Sequence, residues 1–209
     1  MRAMIGRVGV VAVLSWLLAA PQVARAEARA FDFKDPKGVN SILFLLDSLL
    51  EPIAGLASGI SGTVQFDPAD PKATTGTIIV DAKSLHTDNV GMKETLHGSD
   101  WMDVAKFPTI KFTIKDVTEV KPTKENAWEL QVAGEFSCRG VTKPVHAMVR
   151  ANYLADKLGS RQRGAKGDLL VLRSDFVIKR SDFGIKPGGD DVVADEIQLK
   201  VSIVGYNAR

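Results

Sequence analysis

A chain of 209 residues with 27 basic and 25 acidic side chains has too little net charge to present the basic face that nucleic-acid binding requires. Its single cysteine excludes an internal disulfide, so the fold must hold by packing and backbone hydrogen bonding. The length suits one domain with a sizeable core.

The chain opens with the pattern of a secretory leader over residues 1–26, leaving 27–209 as the folded domain. Arg2 and Arg7 give a positive start, residues 8–20 are apolar, and Ala24, Arg25 and Ala26 form a small-x-small cleavage site. The apolar run falls short of the roughly 20 residues that span a bilayer, and Pro21 follows it directly. Three of the 27 basic side chains and none of the 25 acidic ones lie in this leader, so the remainder carries 24 against 25. Export with cleavage near Ala26 is expected.

Beyond the leader the apolar residues recur with period two, the mark of strands with one buried face. Residues 40–46 read as a strand, although Leu43, Phe44, Leu45 and Leu46 blur its phase. With Leu49 and Leu50 they suit a buried strand, a gate for a lipid or an oligomer contact equally well. Ile60, Gly62, Val64 and Phe66 share one phase, and a turn over residues 67–71 follows, rich in Asp and Pro. Ile78 and Val80 continue the pattern. Residues 88–103 interrupt it, and Val90, Met92, Leu96 and Trp101 suit a short helical insert. Ile110, Phe112 and Ile114 restart the alternation, with a turn expected at Lys121, Pro122 and Thr123. Trp128, Leu130, Val132, Phe136 and Cys138 form the next set, and Arg139-Gly140 reads as a tight hairpin. Val145, Ala147, Val149, Ala151 and Tyr153 make another strand. Residues 158–166 are polar and rich in Gly and Arg, which predicts a flexible hairpin tip. Leu170, Leu172, Phe176 and Ile178 precede a turn at residues 187–190, and Ile197, Leu199, Val201 and Ile203 close the series.

Eight antiparallel strands without crossover helices predict an all-β sandwich or closed barrel, and an eight-stranded barrel has room for one small ligand. The inward phase mixes Phe66, Phe112, Trp128, Phe136 and Phe176 with Gly62, Gly134 and Ala147. That mixture fits a cavity and a packed core alike.

Three motifs carry a family resemblance. Thr87, Leu96, Ser99, Asp100, Trp101, Met102, Asp103, Phe107, Pro108 and Phe112 occupy the places of one. The run from Gly134 to Val145 carries a second, and a third runs from Arg180 through Ser181, Asp182, Phe183 and Gly184 to Asp195 and Glu196. In this order they resemble the YceI-like family. The resemblance implies an extended, lipocalin-like antiparallel barrel in the periplasm holding a polyisoprenoid or similar amphiphilic lipid, with no cofactor, metal or catalysis. At residues 38–47 the chain departs from the family's usual opening and lacks its two histidines.

The candidate lining or mouth of the barrel is Phe66, Leu96, Trp101, Met102, Phe107, Phe112, Ile114, Phe136, Phe176, Ile178, Arg180 and Phe183. Arg180 has two readings, a guanidinium offered to a ligand head group or an ion-paired anchor of the strand end. Leu96, Trp101, Met102 and Phe107 either touch the ligand or form a cap docked on the core. His86 and His97 flank the insert without a metal-binding or acid–base spacing. Three function classes follow: a lipid carrier, a packed barrel acting through protein contacts, and an enzyme using the loop histidines on a hydrophobic substrate. The carrier is the leading expectation, with a transient membrane contact and a homodimer left open.

Overall fold

The computed structural model describes residues 28–185 and 192–209; the expected leader at 1–26 and the turn at 187–190 lie outside these described residues. Ten antiparallel strands form one sheet: β1 (Arg29–Asp32), β2 (Ser41–Ser48), β3 (Ile53–Ala57), β4 (Ile60–Phe66), β5 (Thr75–Asp81), β6 (Thr109–Lys124), β7 (Ala127–Cys138), β8 (Val141–Leu154), β9 (Gly167–Lys179) and β10 (Val193–Ala208). Helix α1 (Val90–His97) lies between β5 and β6, and the single turn α2 (Leu158–Arg161) between β8 and β9.

The order β1-β4-β5-β6-β7-β8-β9-β10 closes on itself through a β1–β10 pairing at Asp32 and Tyr206, giving a closed eight-stranded antiparallel barrel. The closing strand is β1, which the sequence reading lacked, because four residues are too few to display a period. The strand expected at residues 40–46 exists as β2 but stands outside this ring. It pairs with the first part of β10, from Ser48–Val193 to Ser41–Ser202, and β3 pairs onto β2.

This arrangement makes the barrel wider at one end. At the narrow end a single strand, β1, fills the space between β10 and β4. At the other end two strands, β2 and β3, occupy it. The outer edge of β3 is held by one pair of backbone bonds, Leu56 N–H to His86 O and His86 N–H to Leu56 O, each 2.9 Å. Barrel diameter grows with strand number, so nine strands enclose more space than eight. Gly55 permits the closure: a Cβ there would sit 2.2 Å from Cζ of Phe44 and 2.3 Å from the His86 carbonyl.

Two turn expectations need correction. Lys121, Pro122 and Thr123 do not turn the chain; they continue β6, with Pro122 opposite Trp128 beside a register shift, a bulge position where a missing N–H is tolerated. The turn comes at Glu125-Asn126, with Asn126 at φ +55°. Residues 158–166 are not a loose tip either. Leu158 is fully buried, and Arg161 bonds Asp35 (3.0 Å) and Asn40 (3.3 Å). Arg139 and Gly140 do make a two-residue hairpin, both at positive φ as such a turn demands. The helical insert is confirmed as α1, whose Asn89 side chain accepts the Met92 N–H at 3.0 Å and caps the first turn.

The narrow end is solid. Phe31, Phe66, Val64, Val117, Ala151 and Leu170 are completely buried. Phe31 and Trp128 meet the Phe66 ring edge-on at centroid distances of 6.5 and 5.5 Å, a geometry favoured by the ring quadrupoles. Below them the buried Asp168 carboxylate accepts from Arg29 (2.6 Å), the Tyr153 hydroxyl (3.0 Å), the Asp156 amide (2.9 Å) and Arg209. Burial alone would raise this carboxyl. The Asp156 amide, Tyr153 and Arg209 outweigh it and hold Asp168 below its ordinary value.

Candidate functional site

In the wide half the side chains that face inward are not fully covered. Ile78, Ile110, Phe112, Ile114, Val149, Phe176, Leu199 and Val201 face the same side as buried residues of the wall, yet each is only half-buried. A side chain that points into a closed wall and still keeps exposed surface must border a void. That void is a cavity of about 170 Å³, counted as the space open to the centre of a water molecule. Every strand except β1 contributes to its lining, as the wider nine-strand section requires.

Its chemistry is hydrocarbon. Apart from Thr74, Lys111 and Ser174, all lining residues are apolar. The Ser174 hydroxyl donates to the Met148 carbonyl at 2.8 Å and that of Thr74 to the Pro71 carbonyl at 2.6 Å. No buried side-chain nitrogen or oxygen among the described residues lacks a hydrogen-bond partner. Cys138 belongs to this wall, 2% exposed, and burial pushes its thiol up to about 12. It is therefore an uncharged apolar surface at neutral pH.

Eight of the residues singled out in the sequence border the cavity: Phe66 at its floor, Leu96 and Met102 from α1 and the loop after it, and Phe112, Ile114, Phe136, Phe176 and Ile178 from the wall. Phe176 lies 6.1 Å from both Phe112 and Phe136, so the three rings form one aromatic side. Gly134 lets Phe112 lie across the neighbouring strand, since a Cβ would come 2.4 Å from its ring.

The other four stand elsewhere. Phe183 is buried behind the wall, its ring 5.4 Å from that of Phe136. Phe107 sits under the β7–β8 hairpin, with the Arg139 guanidinium 5.9 Å from its ring centroid. Trp101 borders a separate outer pocket. Arg180 is 7% exposed and donates to the backbone carbonyls of Ala194 (2.8 Å), Val193 (2.9 Å) and Ile185 (3.4 Å). Its guanidinium ties the end of β9 to the start of β10 through these carbonyls, as the strand-end anchor of the second reading would. Asp195 accepts from the Ser181 hydroxyl and amide at 2.7 and 2.9 Å, which hold its carboxyl below the ordinary value.

The sequence reading missed Ile42, Phe44, Ala57, Leu85 and Ile185 in the lining. Ile42, Phe44 and Leu46 do alternate, but Leu43 and Leu45 on the opposite phase are equally apolar and erase the contrast. Leu49 and Leu50, both 81% exposed, belong to the turn after β2. His86 Nδ1 lies 3.2 Å from the Ser84 carbonyl and His97 Nε2 2.6 Å from that of Leu85. No three His, Cys, Asp or Glu side chains among the described residues converge as metal ligands.

Residues 39–205 match the model of the YceI-like domain. The chain is 32% identical over 160 residues, 75% of each chain, to a UPF0312 protein of Pseudomonas syringae pv. tomato. A UPF0312 protein of Pseudomonas fluorescens is 32% identical over 130 residues, covering 59% of this chain and 63%, under two thirds, of its own length. Among solved structures, a polyisoprenoid binding domain from Saccharophagus degradans superposes with a TM-score of 0.60 at 11% identity, covering 88% of this chain and all of that one, which speaks to the fold. The family model spans every strand of the barrel except β1 and includes the whole cavity wall, and the chain belongs to the YceI-like domain family.

Proposed function

We propose that this chain is an exported, periplasmic binding protein that holds the hydrocarbon part of an amphiphilic lipid, a polyisoprenoid or a chain of similar shape, inside the wide half of its barrel. The observation that carries this reading is the set of half-buried inward side chains around a void lined almost wholly by hydrocarbon. The polyisoprenoid binding of the structural neighbour points to the same ligand class, and the leader-like residues 1–26 support export.

The energetics favour a long chain. Each buried methylene contributes about 0.8 kcal/mol, while association costs at least ~4 kcal/mol. A micromolar affinity, about 8 kcal/mol net, therefore needs roughly 15 or more buried carbons. The reading is carriage or sequestration rather than catalysis, because Cys138 is held as a neutral thiol and the Ser174 and Thr74 hydroxyls donate to backbone carbonyls rather than to a base.

Native mass spectrometry of the protein purified from the exported fraction, followed by denaturing extraction, tests this. A stoichiometric species of isoprenoid or fatty-acyl mass is expected. A clean apoprotein that also refuses added polyprenyl lipids would overturn the carrier reading in favour of a ligand-free barrel acting through protein contacts.

A further inference from the structure

An amphiphile with its tail in this cavity cannot keep its head there. The Ser174 and Thr74 hydroxyls inside already donate to backbone carbonyls, and burying an unpaired polar head costs several kcal/mol. The narrow end is blocked by the Phe66 and Trp128 rings and by the Asp168 cluster beneath them. The head must therefore emerge at the wide end.

A second pocket, about 340 Å³ by the same measure, lies at that end. Its walls are the turn joining β2 to β3 (Ser48, Leu50, Glu51, Ile53), α1 with its flanks (Thr87, Met92, Thr95, Trp101) and the start of β10. Leu96 lines both this pocket and the interior cavity, so one side chain forms the neck between them. The polar side chains of this lining, among the described residues, are three hydroxyls and one carboxylate. The Ser48 hydroxyl accepts the Leu50 N–H at 3.3 Å and keeps its proton to donate. Thr87 donates to the Asn89 carbonyl at 2.9 Å and keeps lone pairs to accept. Glu51 is the one charged side chain among the described residues of the lining, and it has no ion pair or hydrogen bond among them.

Resting on the lipid-carrier reading, we propose that this outer pocket is the head-group subsite, and that Glu51 selects amphiphiles with a cationic amine head over those with an anionic carboxylate or phosphate head. An unpaired carboxylate beside three hydroxyl-bearing side chains complements an ammonium, which needs acceptors only, and repels a second anion. The remaining walls, Leu50, Ile53, Met92 and Trp101, cover the first carbons of the tail as it passes Leu96. At so open a position one charge pair changes affinity by up to roughly five-fold, so attraction of one head and repulsion of the other together separate them by about five-fold or more.

The test is competition among three probes that share one tail: hexadecylamine, hexadecanol and hexadecanoate. They are added together below their aggregation limits to lipid-stripped full-length protein at pH 7, and the bound fractions are read by native mass spectrometry. The wild type takes the amine over the carboxylate by about five-fold or more, with the alcohol between. Glu51→Gln brings the three together and Glu51→Lys reverses the order. Leu50→Arg, which adds a cation from a neighbouring position without touching Glu51, shifts the ratio the same way. If all three probes bind and neither Glu51 variant moves their ratio, the head lies elsewhere; this inference falls while the carrier reading stands. If no probe binds the folded wild type, the carrier reading falls and takes this one with it.

Discussion

The side chain of Asn40 pairs with both backbone polar groups of Val204, its Nδ2 donating to the Val204 carbonyl at 3.1 Å and its Oδ1 accepting the Val204 N–H at 2.9 Å. Val204 lies where β10 changes partner, between the last β2 pairing at Ser202 and the β1 pairing at Tyr206. Val204 pairs with Val171 of β9 on its other side, but no strand reaches it on this edge, and an amide side chain that reproduces a backbone unit completes the ladder. Asn40 is 1% exposed and also donates to the Phe33 carbonyl at 3.2 Å. This one residue joins the eight-strand section of the wall to the nine-strand section.

Asn40→Leu keeps the volume and removes every one of these bonds, leaving the buried groups of Val204 unpaired. A loss of about 2–4 kcal/mol is expected, read as a lower urea midpoint with an unchanged slope. A midpoint within experimental error of wild type would show that the junction does not depend on this side chain.

Stability should fall in acid. Asp168 and Asp35 both have folded values held below those of the unfolded chain. In each, burial works in the raising direction and is outweighed: by the Asp156 amide, Tyr153 and Arg209 at Asp168, and by the amides of Asn40, Lys37 and Val39 at Asp35. With a depressed folded value the unfolded chain binds more protons, so the contribution is complete above about pH 4–5 and lost as pH drops through the folded values. Asp168→Asn removes the charge that Arg29 and Arg209 share; because both arginines are about half exposed, the cost at pH 7 is about 1–2 kcal/mol, and the acid loss flattens. Thermal melts of both proteins at pH 7 and pH 3 check this, and an identical acid-induced drop in Tm for the two would refute the assignment to Asp168.

Arg180 is expected to matter for stability and not for ligand choice. Arg180→Lys keeps the charge but lacks the planar fork that reaches Ala194, Val193 and Ile185 together. A drop of about 1–3 kcal/mol with unaltered lipid content is the expected result. A stable variant that no longer retains a ligand would restore the head-group role considered from the sequence.

Phe112→Arg places a guanidinium in the apolar cavity beside Phe176. The side chain is half-buried, so the arginine can turn toward the mouth and the barrel still folds, with bound lipid reduced at least ten-fold. Undiminished lipid in the folded variant would remove Phe112 from the binding wall.

Much of the wall was legible in the sequence because strand alternation is a local property. Ile110-Phe112-Ile114 and Leu170-Leu172, with Phe176 and Ile178, declare their inward phase within a few residues. So does the turn at Arg139-Gly140. Six of the eight candidate residues that border the cavity do so for this reason, while Leu96 and Met102 come from α1 and the loop after it. Arg180 was singled out by chemistry alone, and chemistry could not say that three carbonyls from the start of β10 and its preceding segment would claim the guanidinium.

Closure belongs to the tertiary structure. The strand that completes the barrel, β1, has four residues and pairs with a position 174 residues away, Asp32 with Tyr206, and no local pattern encodes a partner at that distance. The difference between a packed interior and a hollow one is also tertiary. Phe66 and Phe112 read alike in the sequence, each the inward residue of an alternating strand. Both border the cavity, but Phe66 is fully covered at its floor because a single strand closes the narrow end around it, while Phe112 keeps exposed surface because β2 and β3 widen the ring. Periodicity sets which way a side chain points, and the number of strands around it decides whether anything is there to meet it.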